Sequence, residues 1–174
     1  MKFRAFVLAT TLMLTGSFAT HARAQAAASN EARSDWIKVS ATASSSPETL
    51  QSIEVTAPAD GNLIITVTGT LMYSHTQGTT GKYCLQLADT SDYVGGCNPD
   101  AGSDSAIRSG IGAGEPTAKP NYGVSVPYSI VRTWPVKAGG TYTFYLNGYA
   151  GGLQPTWLFQ PAITAIYVPG TLSL

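Results

Sequence analysis

The sequence predicts an all-β domain, an antiparallel two-sheet β-sandwich. Three observations point there: short apolar/polar alternations of period two recur along the chain, Gly, Pro, Ser and Asp clusters separate them, and no stretch past the first residues sustains an i, i+3, i+4 apolar pattern. With 174 residues, 44% of them hydrophobic and 11% charged, the composition suits a packed core rather than disorder.

The N-terminus reads as an export signal. Lys2 and Arg4 form a positive head, Phe6 to Ala19 is apolar but diluted by Thr and Ser, and Ala22-Arg23-Ala24 gives the small-x-small pattern of a cleavage site. Cleavage is expected after Ala24, with Ala26 as the alternative. The apolar stretch falls short of the roughly 20 residues of a membrane span, and no later segment approaches that length. The expected organisation is a signal peptide over residues 1–24, a small polar leader over 25–34 expected to be flexible, and one β-sandwich domain over 35–174. The mature protein is expected to be secreted or periplasmic. Ten Lys/Arg balance ten Asp/Glu in the whole chain, and removing 1–24 leaves a net charge of −3. That excludes a nucleic-acid binder working by a basic stripe.

Each strand has its own signature. Ile37, Val39 and Ala41 alternate with Lys38, Ser40 and Thr42 until Ser44-Ser45-Ser46-Pro47 breaks the run. Ile53 and Val55 alternate with Ser52, Glu54 and Thr56 before a turn at Pro58 to Gly61. Residues 62–73 are rich in β-branched side chains, and Gly69 inside them marks a bulge or a close backbone approach. Tyr83, Leu85 and Leu87 alternate with Cys84, Gln86 and Ala88. Over 122–136, Pro127 and Pro135 restrict pairing to an edge or a bend. Tyr142, Phe144 and Leu146 alternate after the turn Lys137-Ala138-Gly139-Gly140, and Ile163, Ala165 and Tyr167 end the domain.

Cys84 and Cys97 are thirteen positions apart, and in an oxidising compartment they are expected to pair. Closing so short a loop stabilises a fold by about 3 kcal/mol in the chain-entropy picture. A metal centre would need more Cys or His than the mature chain has, since His75 is its sole histidine.

The segment Arg132-Thr133-Trp134-Pro135-Val136-Lys137-Ala138-Gly139-Gly140-Thr141-Tyr142-Thr143-Phe144-Tyr145-Leu146 resembles the late hairpin of secreted jelly-roll domains of the C1q and tumour necrosis factor type, where a V-x-A-G-x-Y-x-F turn precedes a closing strand, here near Ala162 to Val168. The resemblance covers about the last 45 residues. It implies a jelly-roll architecture, a homotrimer, ligand binding on exposed loops and no catalysis; it assigns no site residue.

Chemistry-bearing motifs are sparse. No G-x-S-x-G elbow is present, and a Ser-His-Asp arrangement would have to use His75 as its base. Residues 88–104 gather Asp89, Asp92, Asp100 and Asp104, oxygen donors of the type calcium takes, but their spacing matches neither an EF-hand nor a repeat motif, and acidic loops of this kind are mostly solvated turns. No cofactor motif occurs.

Tyr and Trp, nine and three in number, are the more suggestive inventory. Tyr93, Tyr122, Tyr149 and Trp157 fall outside the clear strands. The Gly-rich run 147–157 is expected to be a loop, with Tyr149 and Trp157 stacking on a neutral ligand such as a glycan and Asn147 and Gln154 reading its hydroxyls. The competing expectation is that these aromatics cap the open end of the sandwich. The functional expectation is a noncatalytic module that binds a surface ligand or assembles with itself, by its loops or by an exposed sheet face. The alternative is a small hydrolase using His75 or the acidic loop 88–104.

Overall fold

The computed structural model describes residues 30–43, 45–95, 106–117, 123–153 and 155–170. Residues 1–24, Cys97, Asp100, Asp104, Tyr122 and Gln154 lie outside them. The described residues form nine strands: β1 (Asn30–Arg33), β2 (Trp36–Lys38), β3 (Glu48–Thr56), β4 (Gly61–Tyr73), β5 (Gly81–Ala88), β6 (Ala106–Ile111), β7 (Val124–Val136), β8 (Thr141–Gly151) and β9 (Thr156–Pro169).

They build two antiparallel sheets. In the first, β9, β4 and β7 lie side by side, with β1 and β2 both paired to the outer edge of β9; the second has the order β3-β8-β5-β6. The pairings nest: β2 with β9, β3 with β8, β4 with β7 and β5 with β6. This is one long ribbon, tipped at the β5–β6 connection and wound across two sheets, with β4 to β9 and β5 to β8 as the closing ladders. Such winding is the jelly roll. Leu63, Ile65, Val67 and Leu71 of β4 meet Leu85 and Leu87 of β5, Phe144 and Leu146 of β8, and Leu158 and Ile163 of β9 in a single core.

Several local expectations hold. The β4 to β9 register shifts between Thr68 and Thr70. A Cβ on Gly69 would come 2.6 Å from the Tyr128 hydroxyl, so that aromatic lies directly on the backbone. Strand β7, with Pro127 and Pro135, occupies the edge of its sheet, where a missing N–H costs least.

Other elements differ from the sequence reading. Residues Asn30–Arg33, inside the stretch expected to be a flexible leader, pair along β9 from Ala165 to Ala162. The alternation starting at Trp36 is regular strand only through Lys38; beyond it single bonds continue the attachment, Val39 N–H donating to the Thr156 carbonyl (3.0 Å) and Ala150 N–H to the Ala41 carbonyl (2.8 Å). The segment expected to be a late hairpin is an arch, because β7 and β8 belong to opposite sheets. That arch is stitched to the β3–β4 connection. Ala57 N–H donates to the Gly140 carbonyl (2.9 Å) and Gly139 N–H to the Ala57 carbonyl (2.8 Å). The Asp60 carboxylate accepts from Ala138 N–H and from Lys137 Nζ, both at 2.9 Å. The Ala138 N–H bond, then Lys137, hold the Asp60 carboxyl below its ordinary range, and Asp60 raises the Lys137 ammonium in return. A turn that connects sheets needs partners from the neighbouring connection, and Asp60 supplies them.

Candidate functional site

The run 147–157 is mostly strand. β8 extends to Gly151 and β9 begins at Thr156, which leaves 152–155 as the connection. Asn147 and Tyr149 therefore sit within a sheet and not on a loop. Asn147 is 0% exposed. Its Oδ1 accepts from Thr49 Oγ1 (2.9 Å), and its Nδ2 donates to the carbonyls of Thr90 (2.8 Å) and Tyr93 (3.0 Å). With both amide hydrogens spent and the group shut away from solvent, it is not placed to read a ligand. Tyr149 is buried too, packed with Cys84, Val94, Ala41 and Ala106, with Lys82 Nζ 5.8 Å from its ring centre.

This small cluster has a topological cause. Cys84, Gln86, Asn147 and Tyr149 point away from the main core, and simple alternation would leave them in water. All four are buried. The chain leaving β5 supplies cover: Val94 packs on Cys84 and Tyr149, and the Thr90 and Tyr93 carbonyls bind Asn147. Asp92 joins the same device, its carboxylate accepting from Thr49 N–H (2.7 Å) while its own N–H donates to Thr49 Oγ1 (3.0 Å). Asp92 thus acts as a turn anchor. The chain itself thus roofs one part of the second sheet's outer face, while Ser52, Glu54, Thr56 and Thr141 on the same face stay exposed.

The outer face of the first sheet has no such roof among the described residues. Its rows run Thr133–Ile64–Ile166, Val131–Thr66–Thr164 and Ser129–Thr68–Ala162, then Ser125–Met72–Trp157 at the far end. Val131 is 54% exposed and Ile166 41%. None of these residues is charged; the charges of this face gather at one margin, on Lys38 and on the paired Glu31 and Arg33.

At the far end, β2 brings Trp36 opposite Phe159 and Lys38 opposite Trp157. Trp36 is 53% exposed. Its ring stacks at a tilt on Phe159 (centroids 4.6 Å apart) and stands at 89° to Trp157 (6.5 Å). Beside them opens a cavity of about 340 Å³ lined by Trp36, Met72, Tyr73, Ser74, Gly123, Pro155 and Trp157. Of the residues expected to bind ligand, Gln154 lies outside the described residues; among Asn147, Tyr149 and Trp157, Trp157 alone is placed on an accessible concave surface, and Tyr149 lies on the other sheet. Sequence reading missed Trp36 as its companion, because only the β2–β9 register joins positions more than a hundred residues apart.

His75 follows β4 as expected but is buried, its Nε2 3.0 Å from the Thr79 carbonyl oxygen and its Nδ1 3.4 Å from that of Pro116. Both nitrogens face acceptors within the fold, which ties the β4–β5 and β6–β7 connections together. No helix long and apolar enough to cross a membrane occurs among the described residues.

No family model and no curated protein matches the chain. Among solved structures, similarity is found to the tripod (BppUct-A-L) of the baseplate of bacteriophage Tuc2009, at 15% identity over 97% of this chain and 79% of that one, with a TM-score of 0.36. The T13 viral particle of IBDV gives 13% identity over 79% of this chain and 31% of the other, with a TM-score of 0.38. Eiger TNF from S. frugiperda gives 10% over 79% and 94%, with a TM-score of 0.26. The jelly-roll assignment rests on the nested strand pairing alone.

Proposed function

We propose that this chain is a noncatalytic, secreted or periplasmic jelly-roll module that assembles with itself through the outer face of its first sheet. One observation carries the reading: the chain covers part of the outer face of one sheet and leaves the outer face of β4, β7 and β9 on the other bare among the described residues, without charge and partly apolar. Burying an exposed Val or Ile contributes about 1.5–3 kcal/mol for a full side chain, and Val131 and Ile166 each retain roughly half of that. With its charges confined to the β1–β2 margin, the rest of the face can meet its own copy without desolvating an unpaired ion or setting like charges together. Three copies around an axis are the assembly that the resemblance of residues 132–146 implies. A Cys84–Cys97 bond is part of the proposal. It would pin the roofing segment over the second sheet, consistent with the full burial of Cys84 and with the lack of a free cysteine among the described residues. Hydrolysis by His75 is the less favoured reading, since a general base must reach substrate and both of its nitrogens face carbonyls.

The test is the solution mass of the exported protein at micromolar concentration, for the wild type and for V131E/I166E. The expected result is a trimer that becomes a monomer on substitution while the β circular dichroism is kept. A monomeric wild type, or an assembly indifferent to the two glutamates, overturns the proposal.

A further inference from the structure

We propose that the corner between Trp36 and Trp157 is a binding site for one ring of a neutral sugar. This deepens the reading of the chain as a noncatalytic module, yet it does not depend on self-assembly. Ile64 and Met72 lie eight residues apart on β4, so the corner is about 27 Å from the Ile64–Ile166 row. A chain that stays monomeric can still fill it.

Three features choose the ligand. None of the described residues in the cavity's lining is charged, so among them a carboxylate, phosphate or ammonium would find no ion partner for the hydration it loses. Its volume, about 340 Å³, is at the small end of ligand pockets, the size for a single ring and not for a peptide segment. Its two indoles stand at 89°, so a ring stacked on one presents its edge to the other. The apolar C–H face of a pyranose suits the stacked position, and its equatorial hydroxyls then point outward along the ring plane. Ser74 contributes a hydroxyl that both donates and accepts, and each indole an N–H donor. An uncharged, flat-walled corner with a few polar edges matches a ring that is apolar on its faces and polar at its rim.

The placement has a folding cause. Pro155 belongs to the β8–β9 connection, Gly123 immediately precedes β7, and Ser74 follows β4, its N–H donating to the Pro155 carbonyl (3.1 Å). The floor of the corner is thus held by backbone bonding at the sheet end. Trp36 stands at its margin on a strand of three residues. That leaves one fixed indole wall, Trp157 on the long β9, and one on a short outer strand.

The chain has three tryptophans, which gives the test an internal control. Trp134 lies on Phe144 beneath Arg132, away from the corner. Indole N–H resonances of the full protein are followed by nitrogen-15 NMR during titration with glucose, galactose, mannose and N-acetylglucosamine. Indole serves as an apolar-ring control and glucuronate as a charged one. The expected result is saturable movement of the Trp36 and Trp157 signals with at least one neutral sugar, on the order of a millimolar dissociation constant, with Trp134 still. W157A should weaken that binding at least about tenfold without changing the β spectrum. The proposal is overturned if no neutral sugar moves the two signals, if all three indoles move alike, if indole or glucuronate binds as tightly as every sugar, or if W157A binds as the wild type does. None of these outcomes bears on the mass of the assembly.

Discussion

Replacing Asn147 by Ala separates a structural amide from a ligand-reading one. The side chain makes three hydrogen bonds, one accepted from Thr49 and two donated to the carbonyls of Thr90 and Tyr93. At about 1 kcal/mol net for each, their loss costs about 3 kcal/mol. The cost rises if the two orphaned carbonyls stay dry, and it is eased if water enters beside Tyr93, which is 52% exposed. The expected N147A effect is therefore about 3 kcal/mol, or a melting point lower by roughly 10 °C for a domain of this size. Urea unfolding followed by circular dichroism measures it, as a lower midpoint with the slope unchanged. The roofing segment should also open, so proteolysis near Tyr93 should quicken under native conditions. A loss below about 1 kcal/mol, with protease resistance intact, would refute the argument that this amide holds the cover on the second sheet.

Two further outcomes follow from where the other residues lie. Y149A should cost about 3 kcal/mol as a buried aromatic lost from the Cys84–Val94 cluster, and W157A clearly less, because its ring borders open space; comparing their thermal melts checks the ordering. Asp60 titrates below its ordinary value in the folded chain, so its contribution is present above about pH 4 and is lost as pH falls through the lowered value. D60N should accordingly flatten the acid limb of a stability–pH curve, and an unchanged limb would discount the stitched turn.

Much of the fold was legible because burial on one side of a sheet writes itself as alternation. Leu63, Ile65 and Val67 against Ile64, Thr66 and Thr68 mark β4 and its inward face without any partner being known. Pro127 and Pro135 likewise announce an edge strand, since each removes a ladder donor. The rule fails at β5, where alternation assigns Cys84 and Gln86 to solvent. Their burial comes from a segment that folds back over the sheet, a long-range event with no periodic trace. The same event misleads at Tyr149. Gly148 and Gly151 suggested a loop, yet Gly148 is a strand residue where a Cβ would come 2.9 Å from Leu50 and Leu85 side-chain atoms. Glycine there answers close packing and not flexibility.

The two sheets thus part company over a single topological choice. A ribbon wound as a jelly roll leaves two outer faces, each a row of alternate side chains with no partner from the winding itself. The connection at the ribbon's tip, between β5 and β6, is attached to the second sheet and so can reach only that one. Thr49 and Asn147 bind it there through four hydrogen bonds, to Asp92 and to the carbonyls of Thr90 and Tyr93, and a fifth bond joins Thr49 to Asn147. Cover on one side makes the polar Asn147 tolerable in a dry setting, because its amide hydrogens find partners in the covering chain. The first sheet receives no such segment among the described residues, and its outward positions carry the composition of a surface that does without one: Thr66, Thr68, Thr133 and Thr164 keep it wettable, while Val131, Ile166 and Ile64 supply apolar area at one end and Trp36 and Trp157 at the other. A face that had to stay solvated alone would gain from charge along its centre. Here charge is kept to the β1–β2 margin, which is the arrangement that the proposed self-assembly calls for.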